Sequence, residues 1–385
     1  MTDNQPSVLP PLYAAWVDEL LQGPIPPETE ATCHDCAMCA KGTEVAAPNG
    51  DGYFFNPQTK CCTYLPELHN FLVGRMLSDE DPASATGRAT VEARLQAGIA
   101  VTPLGLGRSP VHALLYANSV NAFGRAQSFR CPHYLEEEGG RCGVWRHRES
   151  VCATWFCQHV RGAVGMNFWK ALLTLLSTIE TSLARWCVTE LDVGSEALAR
   201  LFPSFGQAGR NDQIDADLLD GVADPQRQRM MWGKWSGREA EFYQECARRV
   251  NPLTWHEVTA ICGPEAQAYA RLTCEAYQKL ISEEVPARLQ VGPFRTIQLS
   301  PNCCRVSAGR AFVQLDLSQT LMGVLPYFDG RPTDEVLQAM AQREGVKLNQ
   351  ALIRRLVDFG ILVPCENPAH ERQTSVCSLK PTTHP

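Results

Sequence analysis

Beyond residue 164 the apolar positions recur at intervals of three and four: Phe168, Leu172, Leu175, Leu176, Ile179 and Leu183 fall on one stripe of a helix. That spacing predicts a buried helix over 164–191. Further helical patterns run through 238–250 and 264–284, with loops at 203–209 and 221–225 between them, so 163–287 reads as a helical region. The last hundred residues change period. Stretches 294–299 and 310–315 alternate around a turn-like 307–309, which predicts a β-hairpin. Three helical patterns follow at 317–328, 333–344 and 349–359. Pro332-Thr333 opens the second of them, and Gly345 and Gly360 stand where the second and third should stop. Ile361, Leu362 and Val363 would return as a short strand, and 365–385 reads as a disordered tail.

The first 160 residues lack such periods. They are punctuated by a Pro-rich stretch at 22–27, a turn cluster at 48–52 and an acidic run ending in Gly-Gly at 136–140. A segment of this kind does not easily assemble a dense apolar core, which is the circumstance in which bound metal substitutes for packing. The expected organisation is an N-terminal extension (1–28), a metal-stabilised irregular domain (29–162), the helical region (163–287), a small C-terminal domain (288–364) and the tail. The fold class expected is mainly α with small β elements, α+β.

Length and composition narrow the function. A chain of 385 residues, 44% hydrophobic, suffices for two or three domains. Its net charge of -7 argues against nucleic acid as the main partner, because phosphate binding needs concentrated Lys and Arg. Residues 1–11 show no basic segment leading into an apolar one, so no export signal is read there and a cytoplasmic location is expected. The stretch 164–191 carries Lys170, Glu180, Arg185 and Glu190, too many charges for a bilayer helix, and no membrane partner is expected.

The chain has 17 cysteines. Nine form two groups: Cys33, Cys36, Cys39, Cys61 and Cys62, then Cys131, Cys142, Cys152 and Cys157. Without an export signal, clustered thiols in a chain of this size point to metal rather than disulfides. Cys33-x2-Cys36-x2-Cys39 places three thiols on one compact loop, a spacing shared by structural zinc and iron-sulfur loops. A radical S-adenosylmethionine loop is excluded, since it needs three residues between its first two cysteines. A bacterial ferredoxin run is excluded too, because Thr43 stands where its fourth cysteine would be. The fourth ligand must come from elsewhere, and Cys61-Cys62 is the nearest source. Adjacent cysteines point in different directions, so one could serve this centre and the other a second.

The later group sits among Arg141, Arg146, Arg148 and Arg161, with His147 and His159 beside them. Guanidinium groups there would offset the charge of a four-thiolate centre. His34 and His133 also lie near cysteines. The remaining thiols, Cys187, Cys246, Cys262, Cys274, Cys303, Cys304, Cys365 and Cys377, lack ligand spacing and read as inert.

This arrangement resembles the YkgJ-type cysteine-cluster family of zinc- or iron-chelating domains. Its pattern is a CxxCxxCC block, then C, G-x-C and R-x-x-x-C-x-x-[aromatic]-x-C. Here the later part stands as Cys131, Gly140-Arg141-Cys142, Arg148 to Cys152, and Trp155-Phe156-Cys157. The chain departs from the pattern by an insertion, 42–60, ahead of Cys61-Cys62. The resemblance covers 30–162 and implies a metal site holding an iron-sulfur cluster, [4Fe-4S], or alternatively Zn2+. A more distant likeness to the cysteine arrangement of flagellin lysine methylases tilts the reading toward iron-sulfur.

Residues 315–363 resemble a PqqD-type winged-helix domain through Asp316-Leu317-Ser318, Phe328-Asp329-Gly330 with Thr333, and the run 356–362. That likeness implies a peptide or protein partner docking on the edge of the hairpin sheet. Three readings stand: an iron-sulfur protein that modifies or matures a peptide or protein, a zinc-stabilised adaptor, and a metal chaperone or sensor exchanging ligand at an exposed Cys61-Cys62. No phosphate loop, GxSxG, HExxH or dinucleotide fingerprint specifies a reaction. Tyr64, His69, Tyr134 and His159 are near the cysteines, without assigned roles.

Overall fold

The computed structural model describes residues 8–28, 36, 39, 55–119, 121–137, 139–157, 159–202, 224–308 and 314–365. The chain is mainly helical with small antiparallel sheets, as the hydrophobic periods predict. It divides into two compact units: Met1–Gln22, Ala31–Trp155 and Leu173–Gln267 form the first, and Gly23–Glu30, Phe156–Leu172 and Ala268–Pro385 the second. Both are discontinuous in sequence, which a linear reading of boundaries does not anticipate.

In the first unit, α1 (Pro11–Leu21) opens with Pro at its first position, where no helical N–H is lost. It buries Tyr13, Trp16 and Val17. β1 (Leu68–His69) leads into α2 (Asn70–Leu77), followed by α3 (Ala85–Ala97). β2 (Val101–Thr102) and β3 (Gly105–Leu106) complete a three-stranded sheet with β3 in the middle. α4 (Pro110–Ala117), the β4–β5 ladder (Tyr134–Leu135 with Arg141–Cys142) and the short α5 (Ser150–Thr154) follow.

The long helix α6 (Gly162–Glu190) carries the expected stripe, and Phe168, Leu172, Leu175, Leu176, Ile179 and Leu183 are all fully buried. Each contributes about 1.5–3 kcal/mol. α7 (Ser195–Leu201), α8 (Pro225–Trp232) and α9 (Glu239–Val250) come next. α10 (Trp255–Ile281) begins earlier than the pattern at 264–284, and it is broken at Gly263, whose φ of 75° is left-handed, before Pro264 restarts it. The loop expected at 203–209, and 221–223 of the next one, lie outside the described residues.

The early chain therefore does build an apolar core, contrary to the expectation that metal replaces one. Its partners are remote in sequence. α2 lies so close to α9 that a Cβ on Gly74 would fall 1.8 Å from the Tyr243 carbonyl oxygen. Gly74→Ala should accordingly cost about 1–3 kcal/mol and lower the thermal midpoint; an unchanged melt would mean that the helices separate freely. Tyr243 also donates from its hydroxyl to the Thr102 carbonyl at 2.6 Å, tying α9 to β2.

In the second unit, β6 (Arg288–Val291) is the central strand of a sheet with β10 (Asp329–Pro332) and β11 (Leu362–Pro364), the last being the return strand expected at 361–363. A second sheet runs β7 (Arg295–Ser300), β8 (Cys303–Ser307), β9 (Gln314–Ser318). The predicted hairpin is thus corrected: 294–299 pairs with β8 across a turn at Pro301 and Asn302, and 307 ends β8 rather than opening the turn. The β8 alternation was concealed because its inward residues are Cys304 and Val306 and its outward ones Arg305 and Ser307. Residues 309–313 lie outside the described set.

α11 (Gln319–Val324) begins later than predicted, since Leu317 is paired in the sheet with Cys304 and the Ser318 hydroxyl caps the helix by accepting from the Leu321 N–H at 3.2 Å. α12 (Thr333–Arg343) and α13 (Gln350–Asp358) match their patterns, and Gly345 and Gly360 take left-handed φ of 66° and 70° after them. Leu289, Phe328, Val336, Met340, Leu356 and Leu362 centre the core of this unit. Of the expected tail, only Cys365 is described.

One polar assembly ties the start of α6 into this unit. Arg161 donates to Asp358 through Nε and Nη2, the latter at 3.0 Å, and to the Leu280 carbonyl at 2.7 Å. Arg354 donates to the same carboxylate at 2.9 Å and to the carbonyls of Lys279 and Glu284. Among the described residues no helix is long and apolar enough to cross a membrane.

Candidate metal centre

Cys33 lies outside the described residues; the other eight candidate ligands are placed. Cys36 and Cys39 form one turn, closed by the Cys39 N–H donating to the Cys36 carbonyl at 3.1 Å, and their thiols hydrogen-bond. Burial, then Cys36, pushes the Cys39 thiol up to about 12, with Lys60 acting in the opposite sense and Cys61 in the same one. The Cys61 thiol is raised by its hydrogen bond to Cys62 and by burial, with a further contribution from Cys36.

A single backbone bond joins this group to the next. The Cys131 N–H donates to the Cys62 carbonyl at 2.7 Å. The β4–β5 ladder then sets Cys142 opposite Tyr134, three residues beyond Cys131. Burial pushes the Cys131 thiol up to about 12 and Cys142 adds to it, while the His133 N–H and Arg94 pull it down and Cys61 raises it slightly. Cys152 occupies the first turn of α5, whose N-cap is Glu149. That carboxylate accepts the N–H groups of Val151 at 2.6 Å and Cys152 at 2.8 Å, and it hydrogen-bonds the Cys152 thiol. Burial and then Glu149 push that thiol upward, and Cys142 and Cys131 contribute.

Seven cysteines thus follow one another within the first unit: Cys39, Cys36, Cys61 and Cys62, then Cys131, Cys142 and Cys152, the two groups joined by the Cys131–Cys62 backbone bond and by the reach of Cys61 to Cys131. Cys157 is half-buried and belongs to the second unit. Just after it in sequence, His159 and Val160 meet Glu28, which accepts from the Val160 N–H at 2.5 Å and from Trp169 Nε1 at 2.9 Å and lies 3.3 Å from His159 Nδ1. Among the described residues no three His, Cys, Asp or Glu side chains converge tightly enough to hold an ion as they stand. The donor set is nonetheless all thiol on both sides of the Cys62–Cys131 bond, the chemistry that zinc and iron-sulfur clusters take.

Of the arginines the sequence sets beside the later group, Arg146 pairs with Asp81 at 2.6 Å, Arg148 stacks on Trp145 at 3.4 Å, and Arg161 pairs with Asp358. Lys60 and Arg94 are cations whose charge lowers the Cys39 and Cys131 thiols, respectively. Lys60 is buried, takes a left-handed φ of 51°, and donates to the carbonyls of Gly139 at 2.9 Å and Gly140 at 3.2 Å. Gly140 holds a left-handed φ of 77°, and a Cβ there would press on the Tyr134 hydroxyl at 2.1 Å and the Lys60 ammonium at 2.8 Å. Arg94 on α3 donates to the Gly107 carbonyl at 2.6 Å and lies 3.3 Å from His133 Nε2. His133 is buried and neutral, its pKa driven down to about 3 by burial, and its Nδ1 lies 2.7 Å from the Thr90 hydroxyl. It supports the loop between Cys131 and Cys142 rather than adding a ligand. Cys61 and Cys62 are half-buried, not exposed, which removes the feature that would favour ligand exchange.

Spacing alone gave no access to Lys60, Arg94 or Glu149, whose roles depend on chain segments brought together by folding. Set against known proteins, the chain matches no family model, no curated protein and no solved structure.

Proposed function

We propose that the chain is a metal-binding protein whose early cysteines hold an iron-sulfur cluster, [4Fe-4S], and that it acts in the modification or maturation of a peptide or protein. The observation supporting the first half is that folding brings thiols from four separate stretches of one unit, around 36–39, 61–62, 131–142 and 152, within pairwise reach of one another, with Lys60 and Arg94 acting on two of them. Such a series has few other uses. Buried neutral thiols contribute only as small apolar groups, and that role does not require seven of them to be neighbours. When bound, a cluster would supply electron-transfer capacity; Zn2+, the alternative, would supply structure alone.

The second half rests on the outer edge of β7. It ends its sheet, all six of its residues are exposed, and Ile297 and Leu299 stand out from it as apolar side chains. An extended peptide adding there would gain main-chain hydrogen bonds and two apolar contacts, the mode of the PqqD-type domains that 315–363 resembles.

Anaerobic purification with elemental analysis tests the metal. Iron and inorganic sulfide in stoichiometric amounts, with a broad visible band and a brown colour, are expected. A colourless protein carrying stoichiometric zinc would sink the iron-sulfur reading and favour the adaptor.

A further inference from the structure

Beneath Cys152 lies a set of buried polar groups that metal binding does not use. Glu180 sits on the apolar stripe of α6 and is 1% exposed. Its carboxylate accepts from the Tyr13 hydroxyl, from the Ser150 N–H at 2.8 Å and from the Ser150 hydroxyl at 2.6 Å. Ser177 Oγ lies 2.8 Å from Ser150 Oγ. Among the described residues no Lys or Arg nitrogen lies within 4.0 Å of Glu180; the basic atom there is His69 Nδ1, 3.8 Å from Oε2. His69 stands at the head of α2, its side chain 20% exposed. Nδ1 itself is buried and has no hydrogen-bond partner, so the open part of the ring lies away from Glu180.

A carboxylate buried without a cation is expensive, and an apolar residue would serve packing better. The arrangement is that of a carboxylate held behind an imidazole, with the far side of the ring accessible. We propose that His69 and Glu180 form a proton-transfer pair serving a molecule bound at the open side of the ring. In the forward step Nε2 takes the proton of a weakly acidic X–H group while Nδ1 passes its own proton to the Glu180 carboxylate. The pair gains one proton, X–H loses one, and the return step reverses both. Tyr13 and Ser150 keep the carboxylate aimed, and the gap of 3.8 Å closes by a small ring movement.

The charges around the pair agree with this use. Burial holds His69 neutral, its pKa lowered to about 4, although Glu149 and Glu67 act to raise it. Glu180 is pushed upward by burial, against the hydrogen bonds from Ser150 and Tyr13. Tyr13 is itself raised by burial and by Glu180, with Arg75 opposing. No cysteine belongs to the pair, although Glu149, the carboxylate that caps Cys152, acts electrostatically on both Glu180 and His69.

The test is 15N NMR of the histidine rings across about pH 5 to 9, on the full chain and on Glu180→Gln, whose amide can still accept from Ser150 and Tyr13 but cannot take the proton. In the unaltered protein His69 should pass from the Nδ1–H to the Nε2–H tautomer as the pH falls and Glu180 gains its proton. In Glu180→Gln the tautomer ratio should stay fixed; identical profiles in the two proteins overturn the proposal. A second measurement needs no variant. Diethyl pyrocarbonate acylates accessible uncharged imidazole, so His69, with a fifth of its side chain open, should be modified, though more slowly than the exposed His256. Complete modification of His256 with His69 untouched would overturn it as well.

Discussion

Cys36→Ser and Cys152→Ser should each strip most of the metal from the protein and collapse the thermal stability of the first unit. Binding free energy at thiolate sites is on the order of 10 kcal/mol or more and doubles as folding energy where the unfolded chain has no preformed site. The two residues belong to the two different groups of the thiol series, Cys36 in the turn with Cys39 and Cys152 held by its Glu149 cap. Loss in both groups would show that the series works as a unit. Cys377→Ser, in the tail beyond the described residues, should change neither metal content nor melting. Were the clustered and tail replacements to behave alike, grouping would carry no meaning.

Asp358→Ala should cost the second unit about 3–5 kcal/mol, the penalty for leaving buried charge without its partner. Its carboxylate is 5% exposed and receives both Arg161 and Arg354, which are 22% and 15% exposed. Without it two guanidinium groups would face each other over the carbonyls that end α10. A denaturant titration reads the loss as a lower midpoint with the slope unchanged. A change under about 1 kcal/mol would place the pair among surface salt bridges. Asp358→Asn should fall between the two, keeping hydrogen bonds but not charge.

The long-period features were legible because each is decided locally. The α6 stripe, α12, α13 and the glycines ending them follow from the residues within a turn or two. What was illegible depends on distant partners. The first 155 residues look too broken to pack, yet α1 and α2 find their apolar surfaces among residues 173–267 of the same unit. β8 carried the period of a strand in residues that include Cys303, Cys304 and Ser307, and so went unassigned, its last residue read into a turn. At the candidate site the grouping of the thiols could be read from spacing, since residues of one loop are close in sequence. Lys60 and Arg94 could not, because a cation's target is fixed only when the loops fold. Glu180 did leave a trace: it falls four residues after Leu176 and three before Leu183, a charge on an otherwise apolar stripe.

The bond from Cys131 N–H to the Cys62 carbonyl also sets a clock on the site. It joins groups 69 residues apart, the difference between 131 and 62. At about 5–20 residues per second, synthesis of that interval takes roughly 3 to 14 s. For that time the nascent chain presents its first thiols alone, with neither Arg94's neighbour Cys131 nor the cap on Cys152 in existence. Closing a loop of this length adds little further cost, since the entropy grows only with the logarithm of its size. On the proposed metal reading, delivery would become a matter of timing: a donor arriving during translation would meet half the thiols, and one arriving after it would meet them all.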